Sequence, residues 1–312
     1  RGEPVNIWGT ADPDETVDIT FLKKKYKTVA DVQGNWKVTL PILKAGGPYT
    51  MAINDIELKD ILIGDVWVCS GQSNMELPVS RVTDRFRDEI STDSNYSMVR
   101  YIKTPLLYNF HAPQADIPGI SWQAMTPENV MPFSALAYFF AKDVYQKTKV
   151  PVGIINSSVG GSPVEAWISE GGLKPFPFYL NEKRIYESDD LMESMKKEER
   201  KKSHAWNVAL FQGDKGMHEA TPWYAADYDD SNWTETDLFT SGWATNGLNT
   251  VNGSHWFRKD FQVSAQQAGE KATLRLGCIV DADSVYVNGT FVGTVSYQYP
   301  PRIYKVPAGV LK

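Results

Sequence analysis

The run of residues 64–76, GDVWVCSGQSNME, constrains the fold more than any other part of this sequence. Residues 66–69 are apolar and strand-like, and they lead through Gly-Gln-Ser-Asn into a polar segment able to open a helix. This layout exposes the hydroxyl of Ser73 at the carboxyl end of a strand, where the free N–H groups of a helix start stabilise negative charge. Met75 stands where a Gly-x-Ser-x-Gly nucleophile elbow has its second glycine. The alternative is that Ser73 is an ordinary turn or N-cap residue.

The pattern that follows this run predicts a parallel sheet. Residues 98–102 and 151–156 are strand-like, and the second run is apolar enough for a buried strand. Between them, residues 134–148 carry apolar side chains at helical spacing: Leu136, Ala137, Phe140, Ala141, Val144 and Tyr145. Strand, helix and strand in this order indicate a βαβ unit, whose ligands bind beyond the carboxyl ends of the strands.

Both flanks of this α/β segment predict all-β structure. Residues 1–60 contain short alternating runs separated by turn signals, which is typical of a small β-sandwich. After residue 216 the sequence is again rich in short strand-like runs. We therefore predict three domains, at residues 1–60, 61–215 and 216–312. The individual strands are expected at residues 17–21, 35–40, 49–53, 256–263, 272–276 and 284–289.

The charge of the chain argues against nucleic acid as a partner. Its 312 residues have a net charge of −6 and a pI near 5.4, so the surface has no general attraction for phosphates. No run approaches the roughly 20 apolar residues that a membrane helix needs. Cys69 and Cys278 both lie in apolar runs, so we expect two buried thiols rather than a disulfide or a metal site. No metal or organic cofactor is implied.

A second glycine-rich segment follows the apolar strand at residues 151–156. Residues 156–167, NSSVGGSPVEAW, place small residues where a backbone N–H can approach a ligand closely. An N–H of Gly160 or Gly161 is therefore a candidate for binding an oxyanion, and the spacing does not choose between the two. The alternative is a plain tight turn.

Both motifs resemble the SGNH-type esterases of the sialate O-acetylesterase family, which also includes related acetylxylan esterases. The likeness of residues 64–76 implies that Ser73 is the nucleophile, and that of residues 156–167 implies an oxyanion N–H from Gly160 or Gly161. The implied fold is a three-layer α/β domain of the SGNH-hydrolase type. The implied substrate is an acetylated carbohydrate, carrying its O-acetyl group on sialic acid or on a plant glycan.

The catalytic base that such a serine requires has no match in the sequence. The family carries an Asp-x-x-His pair near its C-terminal end, and no histidine here follows an Asp at that spacing: His111, His204, His218 and His255. Residues 211–214 only weakly imitate the family's Gln-containing oxyanion block, and His111 is better interpreted as structural. We expect the base to lie in a missing C-terminal half of the same protein and the α/β domain to be incomplete.

The C-terminal segment resembles the jelly-roll sugar-binding-type domain attached to many glycosidases, through residues 256–259, 281–283 and 287–289. We expect residues 216–312 to form a jelly-roll β-sandwich that is cut short. A removed export signal would give a periplasmic or secreted protein. The rival interpretation is a non-catalytic carbohydrate-binding or scaffold protein with a vestigial serine motif.

Overall fold

The N-terminal part of the chain consists of six antiparallel strands: β1 (Val5–Thr10), β2 (Thr16–Phe21), β3 (Lys24–Val29), β4 (Asn35–Leu40), β5 (Gly46–Ile53) and β6 (Ile56–Ile63). β1 pairs with β4, and the other four form a sheet in the order β3-β2-β5-β6. Alternate side chains of β2 are buried because successive residues of a strand face opposite sides. Ile19 from one sheet and Leu40 from the other belong to one apolar core. The strands predicted here are confirmed, and the sandwich description stays a prediction.

A third sheet contains the strands that lead into the two sequence motifs. Its strands are β7 (Asp65–Gly71), β8 (Tyr96–Lys103), β9 (Gln123–Met125) and β10 (Val152–Ser158), in the order β7-β10-β8-β9. β10 lies parallel to both β7 and β8, and the short β9 pairs antiparallel with β8. The predicted parallel arrangement is confirmed. Because β7 and β10 are neighbours and point the same way, their carboxyl ends lie side by side.

Helix α3 (Ala135–Thr148) lies between β9 and β10 in the sequence, and it packs on β10 and β8. It begins where the Ser134 side chain accepts the N–H of Ala137 at 3.2 Å, and it ends at Lys149 in the left-handed conformation. Tyr138 and Ala141 of the helix share an apolar core with Ile154 of β10. The helix therefore covers one face of the sheet and fixes the strands that carry both motifs.

The computed structural model describes residues 1–91, 96–236 and 252–312, in two compact units, Arg1–Glu187 and Ser188–Lys312. The remaining helices of the first unit are α1 (Ser73–Glu76), α2 (Thr83–Ser91), α4 (Glu170–Leu173) and α5 (Pro177–Tyr186). The second unit contains α6 (Asp189–Gly213), α7 (Lys215–His218), β11 (Ala272–Gly277), β12 (Asp283–Val287), β13 (Thr290–Val295) and β14 (Arg302–Val306). Within these described ranges, no helix is long and apolar enough to cross a membrane. The chain is thus a mixed α/β protein, and the domain boundaries and the jelly-roll stay predictions.

Two expectations for the second unit are wrong. Residues 256–263 form no strand, because their side chains are engaged elsewhere: Trp256 donates to Asp214 at 2.8 Å, and Arg258 donates to Asp230 at 2.7 Å and to the carbonyl of Trp223. Cys278 is exposed rather than buried. It follows an irregularity in the pairing of β11 with β14 that breaks the alternation of buried and exposed positions.

Candidate active site at the ends of β7 and β10

Ser73 follows the strand β7 after a single intervening residue. β7 ends at Gly71, Gln72 follows, and Ser73 is the first of the four residues of α1. The chain turns here because Gly71 adopts φ +147°, a conformation that favours glycine. The carbonyl of Gln72 accepts the N–H groups of Met75 and Glu76, each at 3.0 Å. The predicted strand, turn and helix start are therefore present, and the Ser73 side chain is exposed.

The glycine-rich loop after β10 lies against Ser73. In the parallel register Ser158 of β10 stands opposite Gly71 of β7, and the N–H of Val159 continues the pairing by donating to the Gly71 carbonyl at 3.0 Å. A Cβ atom on Gly160 would lie 3.5 Å from both Cα and Cβ of Ser73. Gly161 has φ +76°, and a Cβ there would meet no atom within 4 Å. The structure thus brings the two predicted motifs together.

Glu76 connects the serine turn to this loop. The N–H of Gly160 donates to Glu76 Oε2 at 2.6 Å, and Lys103 Nζ lies 4.0 Å from Glu76 Oε1. The Glu76 side chain is 39% exposed, so water also reaches the carboxylate. Glu76 stands three residues after Ser73 on the same short helix, and no sequence pattern marks it as a residue of the site.

Further hydrogen bonds fix the loop on both sides of Gly160. The side-chain amide of Gln72 donates to the carbonyl of Ser162, and the Ser162 hydroxyl donates to the Val159 carbonyl at 2.7 Å. Trp167 donates its indole N–H to the Ser162 hydroxyl at 2.9 Å. Each of these residues was part of a motif, but the spacing along the sequence gave no sign of the contacts between the motifs.

The side chain of Asn156 forms hydrogen bonds that connect β7 and β10. It is buried, and its amide nitrogen lies 3.4 Å from the carbonyls of Cys69 and Met75, while its carbonyl oxygen accepts the Ser158 hydroxyl at 3.0 Å. This side chain therefore links β7, α1 and β10. Burial raises the pKa of the neighbouring Cys69 thiol, which keeps it protonated and chemically inert beside the serine.

Of the four histidines, His111 belongs to the first unit, and His204, His218 and His255 belong to the second. His204 is on α6, and the ring of His218 contacts the Phe211 carbonyl at 2.8 Å; both are in the second unit. The hydrogen bond from Lys183 is the main cause that lowers the pKa of Glu187, and the exposed His111 makes a smaller electrostatic contribution. Within the described residues, no hydrogen bond joins a histidine to Ser73. The weak match at residues 211–214 ends α6, where Asp214 caps α7 by accepting the Gly216 N–H.

A serine-bearing turn beside a glycine loop, both at the carboxyl ends of two parallel strands, is consistent with an SGNH-like esterase domain. Residues 63–231 match the family described as "Carbohydrate esterase, sialic acid-specific acetylesterase". Because the match covers more than half of the sequence, the chain belongs to this family of carbohydrate esterases, and the expected resemblance is confirmed.

Individual relatives agree with this assignment. The sialate O-acetylesterase of Homo sapiens is 34% identical in an alignment of 188 positions that covers 54% of this chain and 36% of that protein. The rat enzyme of the same name is 32% identical over 189 residues, 54% of this chain and 34% of the relative. The crystal structure of a carbohydrate acetylesterase from Xanthomonas citri superposes with a TM-score of 0.51 at 38% identity, over 55% of this chain and 40% of that one. The chain thus spans little more than a third of the length of the curated relatives it matches.

Proposed function

We propose that this chain carries the nucleophile and the oxyanion-binding loop of a serine esterase that removes O-acetyl groups from carbohydrate. The observation that carries the proposal is the position of Gly160, whose Cβ would lie 3.5 Å from Ser73 Cα and Cβ. This contact gives the turn and the loop a shared site in which an ester carbonyl carbon faces a hydroxyl and its oxygen faces backbone N–H groups.

The proposed chemistry is acyl transfer through the serine. Ser73 Oγ attacks the acetyl carbonyl, and the N–H groups of Ser73 and of the glycine loop stabilise the oxyanion that develops. The sugar hydroxyl then leaves, and water hydrolyses the acetyl-enzyme. No step of this sequence needs a metal or an organic cofactor. The substrate is O-acetylated sialic acid or an acetylated plant glycan, and the names of the relatives favour the first.

The base is the component that the described residues do not supply at Ser73. A neutral serine hydroxyl attacks esters poorly until a base removes its proton. We propose that a histidine and a carboxylate from a further part of the protein complete the site. An export route to the periplasm or the cell exterior would suit an enzyme that acts on glycans.

The lack of a base at Ser73 among the described residues favours one competing function, a carbohydrate-binding protein with a vestigial serine motif. Labelling with a fluorophosphonate distinguishes the two, because only an activated serine forms the covalent adduct. We expect a single adduct, on Ser73, in the protein with its full catalytic domain. Ser73→Ala should abolish the adduct and lower kcat at least about 10³-fold, the scale found when a triad nucleophile is removed.

Ser70→Ala is the matched control, because Ser70 is an exposed serine at the end of the same strand. It should label like the wild type. An adduct that persists in Ser73→Ala, or hydrolysis that is unchanged there, would contradict the proposed nucleophile, whereas a wild-type protein that forms no adduct would make the binding protein the better description.

A further inference from the structure

The N–H of Gly160 already has a strong acceptor inside the protein. The Glu76 carboxylate accepts it at 2.6 Å, a length typical of a charge-assisted hydrogen bond. Among the described residues, no acceptor is seen for the N–H of the next residue, Gly161. The two glycines that the sequence could not separate therefore differ in the structure by one hydrogen bond.

We propose that Glu76 is a positioning residue that holds Gly160 and thereby makes Gly161 the loop's oxyanion donor. This inference rests on the proposed function, since it names which N–H of that site binds the oxyanion. A donor bound to a carboxylate cannot serve a second anion at the same time, and two anions at one N–H repel each other.

The short length of α1 makes Glu76 suited to this role. Ser73 and Glu76 lie in a single helical turn, which the N–H of Leu77 closes by donating to the Ser73 carbonyl at 2.8 Å. A shift of the serine turn therefore moves the Glu76 carboxylate with it, and the glycine loop follows through the hydrogen bond. The nucleophile and the oxyanion donor keep their separation because one side chain spans the gap between them.

Close contact explains why a glycine stands at position 160. An added Cβ would lie 2.7 Å from Glu76 Oε2 as well as 3.5 Å from Ser73, so any side chain would displace the carboxylate. Lys103 forms an ion pair with Glu76, with its Nζ 4.0 Å from Oε1. It offsets part of the negative charge that Glu76 brings to a site where an oxyanion forms.

The first test reads the hydrogen bond directly. With ¹⁵N-glycine labelling, the Gly160 amide proton of the 312-residue chain should resonate at low field because it is bound to a carboxylate. Glu76→Ala should move this resonance upfield and speed its exchange with solvent, whereas Glu76→Gln keeps an acceptor oxygen and should move it less. Lys103→Ala is the control, since it leaves the acceptor in place. A Gly160 amide that does not respond to Glu76→Ala overturns the inference.

The second test identifies the oxyanion donor. A fluorophosphonate joins Ser73 Oγ to phosphorus with loss of fluoride, and one phosphonyl oxygen then occupies the oxyanion position. On adduct formation the Gly161 amide should shift strongly while the Gly160 amide stays on Glu76. Glu76→Ala should slow adduct formation about 10-fold or more, and Glu76→Gln should restore it to within about 3-fold, because positioning needs the acceptor more than its charge.

The outcomes separate the two proposals. A larger shift at Gly160 than at Gly161 overturns the role of Glu76 and leaves the esterase intact. Failure of the wild-type serine to react in the protein with its full catalytic domain overturns the esterase itself. The response of the Gly160 amide to Glu76→Ala in the unreacted protein is then still read independently.

Discussion

At the scale of single residues, the site depends on backbone conformations that only certain residues tolerate. Gly161 has φ +76°, and no atom lies within 4 Å of the position that a Cβ would take. A side chain there meets no clash, so its cost is purely conformational. A β-branched residue in this region costs about 1–2 kcal/mol and turns the peptide toward another conformation.

We expect Gly161→Val to lower the rate of Ser73 acylation about 10²-fold, comparable to the loss of one oxyanion donor. Folding should be retained. Gly119→Val is the matched control, because Gly119 has φ +77° and an equally open Cβ position on another loop. Rates of adduct formation followed by intact-protein mass spectrometry check the prediction. Equal rates of adduct formation in both variants would show that residues 159–162 form an ordinary turn without an oxyanion donor.

Tyr304 gives a residue-scale prediction for the second unit. Burial, and then the hydrogen bond to Asp283 Oδ2 at 2.5 Å, raise the pKa of Tyr304 above its ordinary value of 10.0. A raised pKa means that the folded state binds the proton more tightly than the unfolded chain. The stabilisation is therefore fully present below pH 10 and is lost as the pH rises above it.

Tyr304→Phe should accordingly lower the free energy of unfolding at neutral pH by about 1 kcal/mol, the usual value of one hydrogen bond. The difference from wild type should shrink above about pH 10, where unfolding lets the wild-type phenol ionise. Denaturant titrations of both proteins across this range measure the difference directly. A gap that stays constant or widens with pH would contradict the assignment.

At the scale of elements, the site exists because β7 and β10 start together as well as end together. The N–H of Asp65 at the start of β7 donates to the Pro151 carbonyl at 2.9 Å. Gly64, the residue before Asp65, lies in close contact with Pro151. A Cβ on Gly64 would lie 1.9 Å from the Pro151 oxygen, which is far inside van der Waals distance. The backbone here cannot accept a side chain without separating the two strands.

We expect Gly64→Ala to lower the free energy of unfolding by about 1–3 kcal/mol, the cost of overpacking a closely packed site. It should also slow adduct formation at Ser73, because β7 carries the serine turn. Gly171→Ala is the control, since a Cβ there approaches nothing closer than 4.0 Å. Thermal unfolding of the three proteins provides the comparison, and equal transition temperatures would show that β7 moves to accommodate the methyl group.

The elements that the sequence predicted are those whose pattern is local. β2, β4 and α3 follow from alternation or helical spacing, because each buries one face on a single core, whereas β7 and β10 follow from short apolar runs. Residues 256–263 show the same alternation and form no strand, since Trp256 and Arg258 bind side chains and carbonyls distant in sequence. The contact between Glu76 and Gly160 spans 84 positions, and no local pattern encodes it.

At the scale of the whole molecule, the sequence predicted the family and the parallel sheet better than the flanking domains. The two motifs are short, and chemistry fixes most of their residues. The strands of the second unit are held instead by long-range partners, such as the buried Arg302 that donates to Asp283 at 2.5 Å and to the Ile279 carbonyl at 2.6 Å. Hydrogen bonds between residues distant in sequence produce no periodic pattern from which the strands could be predicted.

The 312-residue chain should turn over p-nitrophenyl acetate very slowly, because no histidine is hydrogen-bonded to Ser73 within its described residues. Adding a segment that supplies the base should restore hydrolysis. Steady-state assays with and without that segment measure the effect, and Ser73→Ala gives the background. Hydrolysis at an ordinary enzymatic rate, with kcat of about 1 s⁻¹ or more, would require a base within the chain. His111→Ala would then be the first variant to examine.

The position of β7 within its sheet has a consequence for assembly. Within the described residues β7 pairs only with β10, so it is an outermost strand, and Val66, Trp67 and Val68 are 61%, 44% and 69% exposed. Unpaired N–H and C=O groups along such an edge are a template for another strand. A parallel strand added there would end at the same edge of the sheet as Ser73, so strand pairing along β7 and the site that we propose at Ser73 share one end of the sheet.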